Sequence, residues 1–353
     1  MTNRDFIMPP NPYINDILSQ PAALRAALDH YPAEMLEPLR ARLQEGAFNR
    51  IVLTGMGSSF NAAYPSWLTL LSLATPVIHV NTAELLHYGQ DMIDSRTLLW
   101  INSQSGRSVE IVRLLESLKD RSPVFQLSMC NNLDSPMARN ANMVIPINAG
   151  DEATVSTKTY INMLAMLMLA SAQLTGRDWQ ALLQSMRKAA DGIEVYLAKW
   201  PEKVMELDAL LGDVDQLLIL GRGASMAAVW NGSLINKEAA KSVFEGMNVA
   251  DFRHGPMELA SSRLTVLMLE GAPQTARLNR NLALEISSHG GKVLWLATKT
   301  DPQLVTLQLP GANESARPLV EILPLQILTI LMAQRTGFEA GKFRHIGKVT
   351  TRE

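Results

Sequence analysis

Residues 51–62 read Ile-Val-Leu-Thr-Gly-Met-Gly-Ser-Ser-Phe-Asn-Ala, and residues 217–228 read Leu-Leu-Ile-Leu-Gly-Arg-Gly-Ala-Ser-Met-Ala-Ala. In each stretch an apolar, β-type run ends in Gly-x-Gly with small residues, and a helical pattern follows. A motif that recurs one domain length later marks a duplicated fold. A second loop, Asn102-Ser103-Gln104-Ser105-Gly106-Arg107-Ser108, follows the apolar run Leu98-Leu99-Trp100-Ile101. Its counterpart in the second half, Leu267-Met268-Leu269-Glu270-Gly271, carries no hydroxyl cluster. The halves share a scaffold, and only the first keeps an anion-binding loop.

The chain of 353 residues has room for two domains with full cores. A net charge of −2 with scattered basic residues lacks the basic stripe of a nucleic-acid binder. The single cysteine, Cys130, excludes a disulfide framework and a cysteine-rich metal site, and reads as a buried small hydrophobe. The N-terminus has no apolar segment of signal-peptide length. The apolar stretch from Ile161 to Leu174 is shorter than the roughly 20 residues that span a bilayer. A cytoplasmic location, no membrane, no metal and no cofactor are the expectations.

Helical patterns run from Pro12 to Glu45. Strands are then expected at Arg50–Thr54, Pro76–Val80, Thr97–Ile101, Pro123–Ser128 and Met143–Pro146. Helices at Asn61–Leu73, Val109–Lys119 and Pro136–Asn140 fill the gaps, and a long helix, Ser156–Leu174, closes the first half. Leu183–Leu211 reads as a helical linker. The second half repeats the scheme, with strands at Gln216–Leu220, Leu264–Leu269, Val293–Thr298 and Val305–Leu309. Its helices lie at Ala227–Glu245, Thr275–Ser288 and Leu319–Arg335. Strands alternating with helices give α/β domains, each with a parallel sheet covered on both faces.

In such sheets ligands bind at the carboxyl ends of the strands, where helix N-termini offer free N–H groups and a partial positive charge. Ser58 and Ser59 lie at one such end; Ser103, Gln104, Ser105 and Ser108 lie at another. The loop lacks the Gly-Lys-Ser/Thr of a Walker motif and the third glycine of a dinucleotide fingerprint. A serine opening a helix is also an ordinary N-cap. Three clusters in succession, Ser156-Thr157-Lys158-Thr159 being the third, favour a phosphate ligand instead. In the second half, Glu238 follows Lys237, and His254 stands sixteen residues beyond it before Gly255-Pro256. A carboxylate and an imidazole suit proton transfer at a sugar carbonyl.

These motifs, in this order, resemble the two-domain sugar isomerase (SIS) superfamily over nearly the whole chain, from about Ala33 to Glu353. The motifs resemble both the isomerase half of glucosamine-6-phosphate synthase and the phosphorylated Amadori-product deglycases. The synthase's Gly-Thr-Ser-Tyr-Asn-Ala is matched by Gly57-Ser58-Ser59-Phe60-Asn61-Ala62. Its Ser-Gln-Ser-Gly-Glu-Thr is matched by residues 103–108, and its Ser-Thr-Lys by Ser156-Thr157-Lys158. Its Lys-Glu and His-Gly-Pro are matched by Lys237-Glu238 and His254-Gly255-Pro256. Its terminal lysine, five residues before a final Glu, is matched by Lys348 and Glu353.

The resemblance implies two tandem SIS domains, each a flavodoxin-like three-layer sandwich. A helical segment would span 1–32, the phosphate-binding domain 33–175, a helical linker 176–205 and the catalytic domain 206–353. Ser58, Ser59, Ser103, Gln104, Ser105, Ser108 and Ser156 would bind the phosphosugar. Glu238 would move a proton between C1 and C2. His254 would open the sugar ring from a neighbouring subunit, and Lys348 would sit beside the carbonyl oxygen. A homodimer or dimer-based tetramer with shared sites follows.

Three departures set this sequence apart. There is no glutaminase half with its N-terminal cysteine, so glutamine-dependent synthesis is not expected. Ile235 stands where the synthase has a lysine. Asp251-Phe252-Arg253-His254-Gly255-Pro256-Met257-Glu258 looks like the deglycase run, although Lys348 is synthase-like. The expected function is a deglycase cleaving a 6-phosphorylated ketosamine to glucose 6-phosphate and a free amine. A glucosamine-6-phosphate deaminase or isomerase is the first alternative, and a non-catalytic phosphosugar-binding regulator the second.

Overall fold

The computed structural model describes residues 11–119 and 124–352. Pro123, at the start of an expected strand, Glu353 and the first ten residues lie outside it. Two sheets of five strands each carry the fold. The first contains β1 (Arg50–Gly55), β2 (Val77–Asn81), β3 (Thr97–Asn102), β4 (Phe125–Cys130) and β5 (Met143–Pro146), in the order β2-β1-β3-β4-β5. The second contains β6 (Gln216–Gly221), β7 (Glu245–Asn248), β8 (Leu264–Leu269), β9 (Lys292–Ala297) and β10 (Val305–Gln308), in the order β10-β9-β8-β6-β7. Every pairing is parallel. Read from the other edge, the second order is the first repeated, and both are flavodoxin-like.

The chain separates into two compact units. The first-sheet unit takes the described residues of Ala22–Asp151, Lys158–Lys188 and His345–Glu353. The second-sheet unit takes the described residues up to Pro21, with Glu152–Thr157 and Ala189–Arg344. Each has its own core. In the first, Val52, Leu99 and Ile101 pack with Ile111, Leu114 and Met137. In the second, Leu220, Val266 and Met268 pack with Phe252, Leu282 and Ile286. Strands such as β3 and β8 are buried along their whole length, as expected where helices cover both faces of a parallel sheet.

Several helices differ from the sequence reading for local reasons. The N-terminal stretch is three helices, Pro12–Leu18, Gln20–Asp29 and Ala33–Gln44, with the last break at Tyr31-Pro32. A residue before proline is pushed out of the helical region. The helix after β1 begins four residues early and is split into Gly57–Ala62 and Tyr64–Leu70, with Pro65 in the first turn of the second piece. The linker is two helices, Trp179–Leu197 and Trp200–Leu211, and Pro201 again opens the second. The helix expected to run to Glu245 stops at Ala240, and Glu245-Gly246-Met247-Asn248 forms the edge strand β7. Four residues with a glycine and a charge carry no strand signal of their own.

The run Glu314–Thr336 is long and apolar enough to cross a membrane, but 89% of its most apolar window is buried in the fold, as in a core helix. Cys130 is buried and free, and burial pushes its thiol up to about 11.

Candidate active site

In the first-sheet unit β1 and β3 are neighbours, with Gly55 opposite Asn102, so their carboxyl-end loops leave the sheet side by side. The Asn102 side-chain amide donates to the Thr54 carbonyl at 3.1 Å and ties the two strand ends together. Ser58 and Ser59 lie half-buried in the first turn after β1. The next residue, Phe60, stacks on His79 from β2 with ring centroids 4.0 Å apart. The His79 Nε2 lies 3.2 Å from the Phe60 carbonyl, which can only accept, so the ring donates there. Burial pulls this imidazole down to about 4, which makes it a neutral support for the loop at neutral pH.

The loop after β3 is pinned at both ends. The Ser103 N–H donates to the Met129 carbonyl at 3.0 Å, and the Asn131 N–H donates to the Gln104 carbonyl at 3.1 Å. Within it, the Ser103 Oγ accepts from the Gly106 N–H at 3.1 Å and the Ser105 Oγ accepts from the Arg107 N–H at 3.2 Å. Both bonds use the hydroxyls as acceptors, which leaves their O–H groups to donate. Ser108 sits at the N-cap of the helix Val109–Ser117, yet its side chain makes no capping bond. The ordinary N-cap role is therefore not what this serine performs. The Val109 N–H at the same helix start donates to the carbonyl of Thr350 at 3.1 Å. The C-terminal segment is thus tied to the hydroxyl loop two residues beyond Lys348, which is half-buried in the same unit.

In the second-sheet unit Glu238 is the thirteenth residue of the helix Met226–Ala240, which starts at the carboxyl edge of β6. At 1.5 Å per residue it lies about 18 Å along the helix, towards the opposite edge of the sheet. Its half-buried carboxyl is pushed up to about 7 by burial, with Lys241 pulling the other way. Lys237 is turned aside and donates to the Ser233 hydroxyl at 2.9 Å. Ile235, at the position of the synthase lysine, is fully buried in the core.

His254 ends the short helix Val249–Arg253 that follows β7, at the carboxyl edge. It lines an open cavity of about 400 Å³ with Arg222, Arg253 and Asn281. Arg253 is paired with Glu285 at 2.6 Å. Glu238 and His254 therefore occupy opposite edges of one sheet. Ser156 belongs to the second-sheet unit, half-buried beside Thr157, whose N–H and hydroxyl both donate to Glu152 at 2.8 and 3.1 Å. Among the described residues no three His, Cys, Asp or Glu side chains gather as a metal ion would need.

The second unit's counterpart of the hydroxyl loops is chemically closed. Ser225, after β6, donates to the carboxyl of Glu321 at 2.8 Å. Arg317 pairs with Glu270, after β8, at 2.8 Å and also donates to the Gly271 carbonyl. An internal carboxyl thus meets this loop's hydroxyl. Neither Glu321 nor His79 carried a sequence signal, because each acts through a fold neighbour distant in the chain.

The sequence comparisons fit this geometry. Residues 48–172 match the SIS domain model. The whole chain is 27% identical over 348 residues to a glutamine–fructose-6-phosphate aminotransferase (isomerizing) from Pyrococcus horikoshii, an alignment covering 96% of this chain and 57% of the relative. The chain thus spans little more than half the length of that relative. Among solved structures it resembles the C-terminal domain of glucosamine-fructose-6-phosphate aminotransferase from Francisella tularensis, with a TM-score of 0.82 and 21% identity over 97% of this chain and 100% of that one. A tagatose-6-phosphate ketose/aldose isomerase from Escherichia coli gives a TM-score of 0.81 and 18% identity over 98% and 100%. At these identities the two structures establish a common fold. That fold spans both sheets, whereas the family model covers the first.

Proposed function

We propose that this protein is a phosphosugar enzyme that moves a proton between C1 and C2, and that its substrate is a 6-phosphorylated ketosamine. The observation that carries the reading is Glu238, a half-buried carboxyl held near neutrality, in a chain whose SIS domain keeps a hydroxyl-rich loop. A base works best when its pKa lies near the working pH. The O–H groups of Ser103, Ser105 and Ser108, with Ser58, Ser59 and Gln104, bind the 6-phosphate. His254 opens the ring. Glu238 takes a C1 proton to give an enaminol, and reprotonation at C2 gives an imine. Water adds to the imine carbon, the C–N bond breaks, and glucose 6-phosphate and the free amine leave. Lys348 steadies the carbonyl oxygen, and Ser156 borders the sugar. No metal or organic cofactor enters these steps, and the setting is cytoplasmic.

Because Glu238 and His254 sit at opposite edges of one sheet, a site using both draws them from two copies of the chain. That supports a homodimer or a dimer-based tetramer. The deglycase outcome rests on the run Asp251–Glu258. The name of the Pyrococcus horikoshii relative supports a second reading, plain isomerisation at the same residues. Incubation with phosphorylated ketosamines, hexose phosphates and amino-sugar phosphates separates them. Glucose 6-phosphate with a free amine supports the deglycase. Fructose 6-phosphate with ammonia marks a deaminase, interconversion without loss of nitrogen an isomerase, and binding without turnover a regulator.

A further inference from the structure

Lys241 follows the helix that carries Glu238 and adopts a left-handed conformation, φ 55° and ψ 29°. Helices commonly end in that conformation, but on glycine or asparagine, because a Cβ makes it unfavourable. Among the described residues only Asn148 shares a positive φ without being glycine. Strain of this kind persists where the surroundings over-determine it, and it invites a functional reading.

The turn sends the lysine side chain back along its own helix. Its Nζ donates to the carbonyl of Glu238 and to the carbonyl of Lys342, both at 2.5 Å. The next two carbonyls are also held. The Gly341 N–H donates to Ala239 at 3.1 Å, and the Thr336 hydroxyl donates to Ala240 at 3.1 Å. The last turn, with Glu238 on it, is thus fastened to residues 336–342, and the ammonium of Lys241 bridges both sides.

We propose that Lys241 is a positioning residue for Glu238, fixing the helix end that carries the carboxyl and placing a positive charge beside it. The inference rests on the reading of Glu238 as the proton carrier. The other groups in this field are few. Tyr13, from the helix Pro12–Leu18, is buried, exchanges a hydrogen bond with Thr329 at 2.9 Å, and feels both Glu238 and Glu152. Burial, and after it the charge of Arg344, lowers the pKa of the Lys241 ammonium, while Glu238 raises it. Burial of Glu238 favours its neutral form, and Lys241 opposes that, so the lysine keeps the carboxyl ionisable near neutral pH.

The test compares Lys241→Gly, which suits the left-handed turn and removes the charge, with Lys241→Arg, which keeps the charge. The readout is the ¹³C carboxyl titration of Glu238, assigned by its disappearance in Glu238→Gln. Lys241→Gly should move the midpoint upward by about half a pH unit or more, and the acid limb of kcat/KM should move with it. Lys241→Arg should titrate like the parent. If Lys241→Gly does not fold, Lys241→Asn, also at ease in this conformation, takes its place. An unchanged midpoint overturns the proposal, and so does an equal shift in Lys241→Arg. Failure of the underlying reading looks different: Glu238→Gln would then keep full turnover while the carboxyl shift in Lys241→Gly persisted.

Discussion

Gly106 lies in the hydroxyl loop with φ 61°, and a Cβ built there would fall 2.1 Å from the Ser135 Oγ and 2.6 Å from its Cβ. Gly106→Ala therefore meets two costs. The left-handed conformation costs an alanine about 1–2 kcal/mol. Ser135 must also swing away, and its Oγ caps the helix Pro136–Arg139 by accepting from the Ala138 N–H at 3.2 Å. Loss of such a cap costs about 0.5–2 kcal/mol. The total is about 1.5–4 kcal/mol, or a fall of roughly 3–16 °C in the melting temperature of a domain this size. Gly150 is the control. Its φ is 66°, but a Cβ there meets nothing within 4 Å, so Gly150→Ala bears the conformational cost alone. Thermal melts of both variants, with and without millimolar inorganic phosphate, separate the contributions. Gly106→Ala should melt below Gly150→Ala and lose most of the stabilisation that phosphate gives the parent. Equal melting temperatures, or full phosphate stabilisation in Gly106→Ala, would refute the account of this loop.

Ser105→Ala should remove a donor to a charged ligand worth about 1.5–3 kcal/mol, a roughly ten- to hundredfold loss in phosphosugar affinity by calorimetry, with dephosphorylated sugars unaffected. Equal loss for both would contradict the phosphate assignment. Burial raises Glu321 to about 7, so between about 4.5 and 7 the folded chain binds more protons than the unfolded one and stability falls as pH rises. Melting curves from pH 4.5 to 8 should show Glu321→Gln matching the parent at the acid end and exceeding it above pH 7, by up to about 3 kcal/mol, whereas parallel curves would remove Glu321 as the source. Inactive Glu238→Gln and inactive His254→Ala chains, unfolded together and refolded, should regain part of the parent activity; none regained would show that the two residues do not come from different copies.

The duplicated sheets were legible because Gly-x-Gly after an apolar run repeats with the same flanks, and most of the buried parallel strands are rich in Leu, Ile and Val. The hydroxyl loop was legible for the same reason: its residues are consecutive. What was not legible depends on direction and on distant partners. The fifteen residues between Glu238 and His254 contain a helix end, the strand β7 and a short helix. They carry the histidine to the far edge of the sheet, and β7 itself has too weak a pattern to announce that reversal. Thr350 meets Val109, and Glu321 meets Ser225, only after the chain has folded. Helix breaks at Pro32, Pro65 and Pro201 could have been placed more closely from the prolines alone.

The central claim is that Glu238 carries the C1 proton. Glu238→Gln keeps the size and removes the base, a change that typically costs about 10²–10⁴-fold in rate. The direct measurement is turnover of the accepted phosphosugar together with exchange of its C1 proton in deuterated water, both followed by NMR on the folded variant. Both should fall together by that factor while phosphosugar binding persists, because the hydroxyl loop is intact. If turnover and exchange both continue at the parent rate, Glu238 is not the proton carrier and the mechanism is wrong.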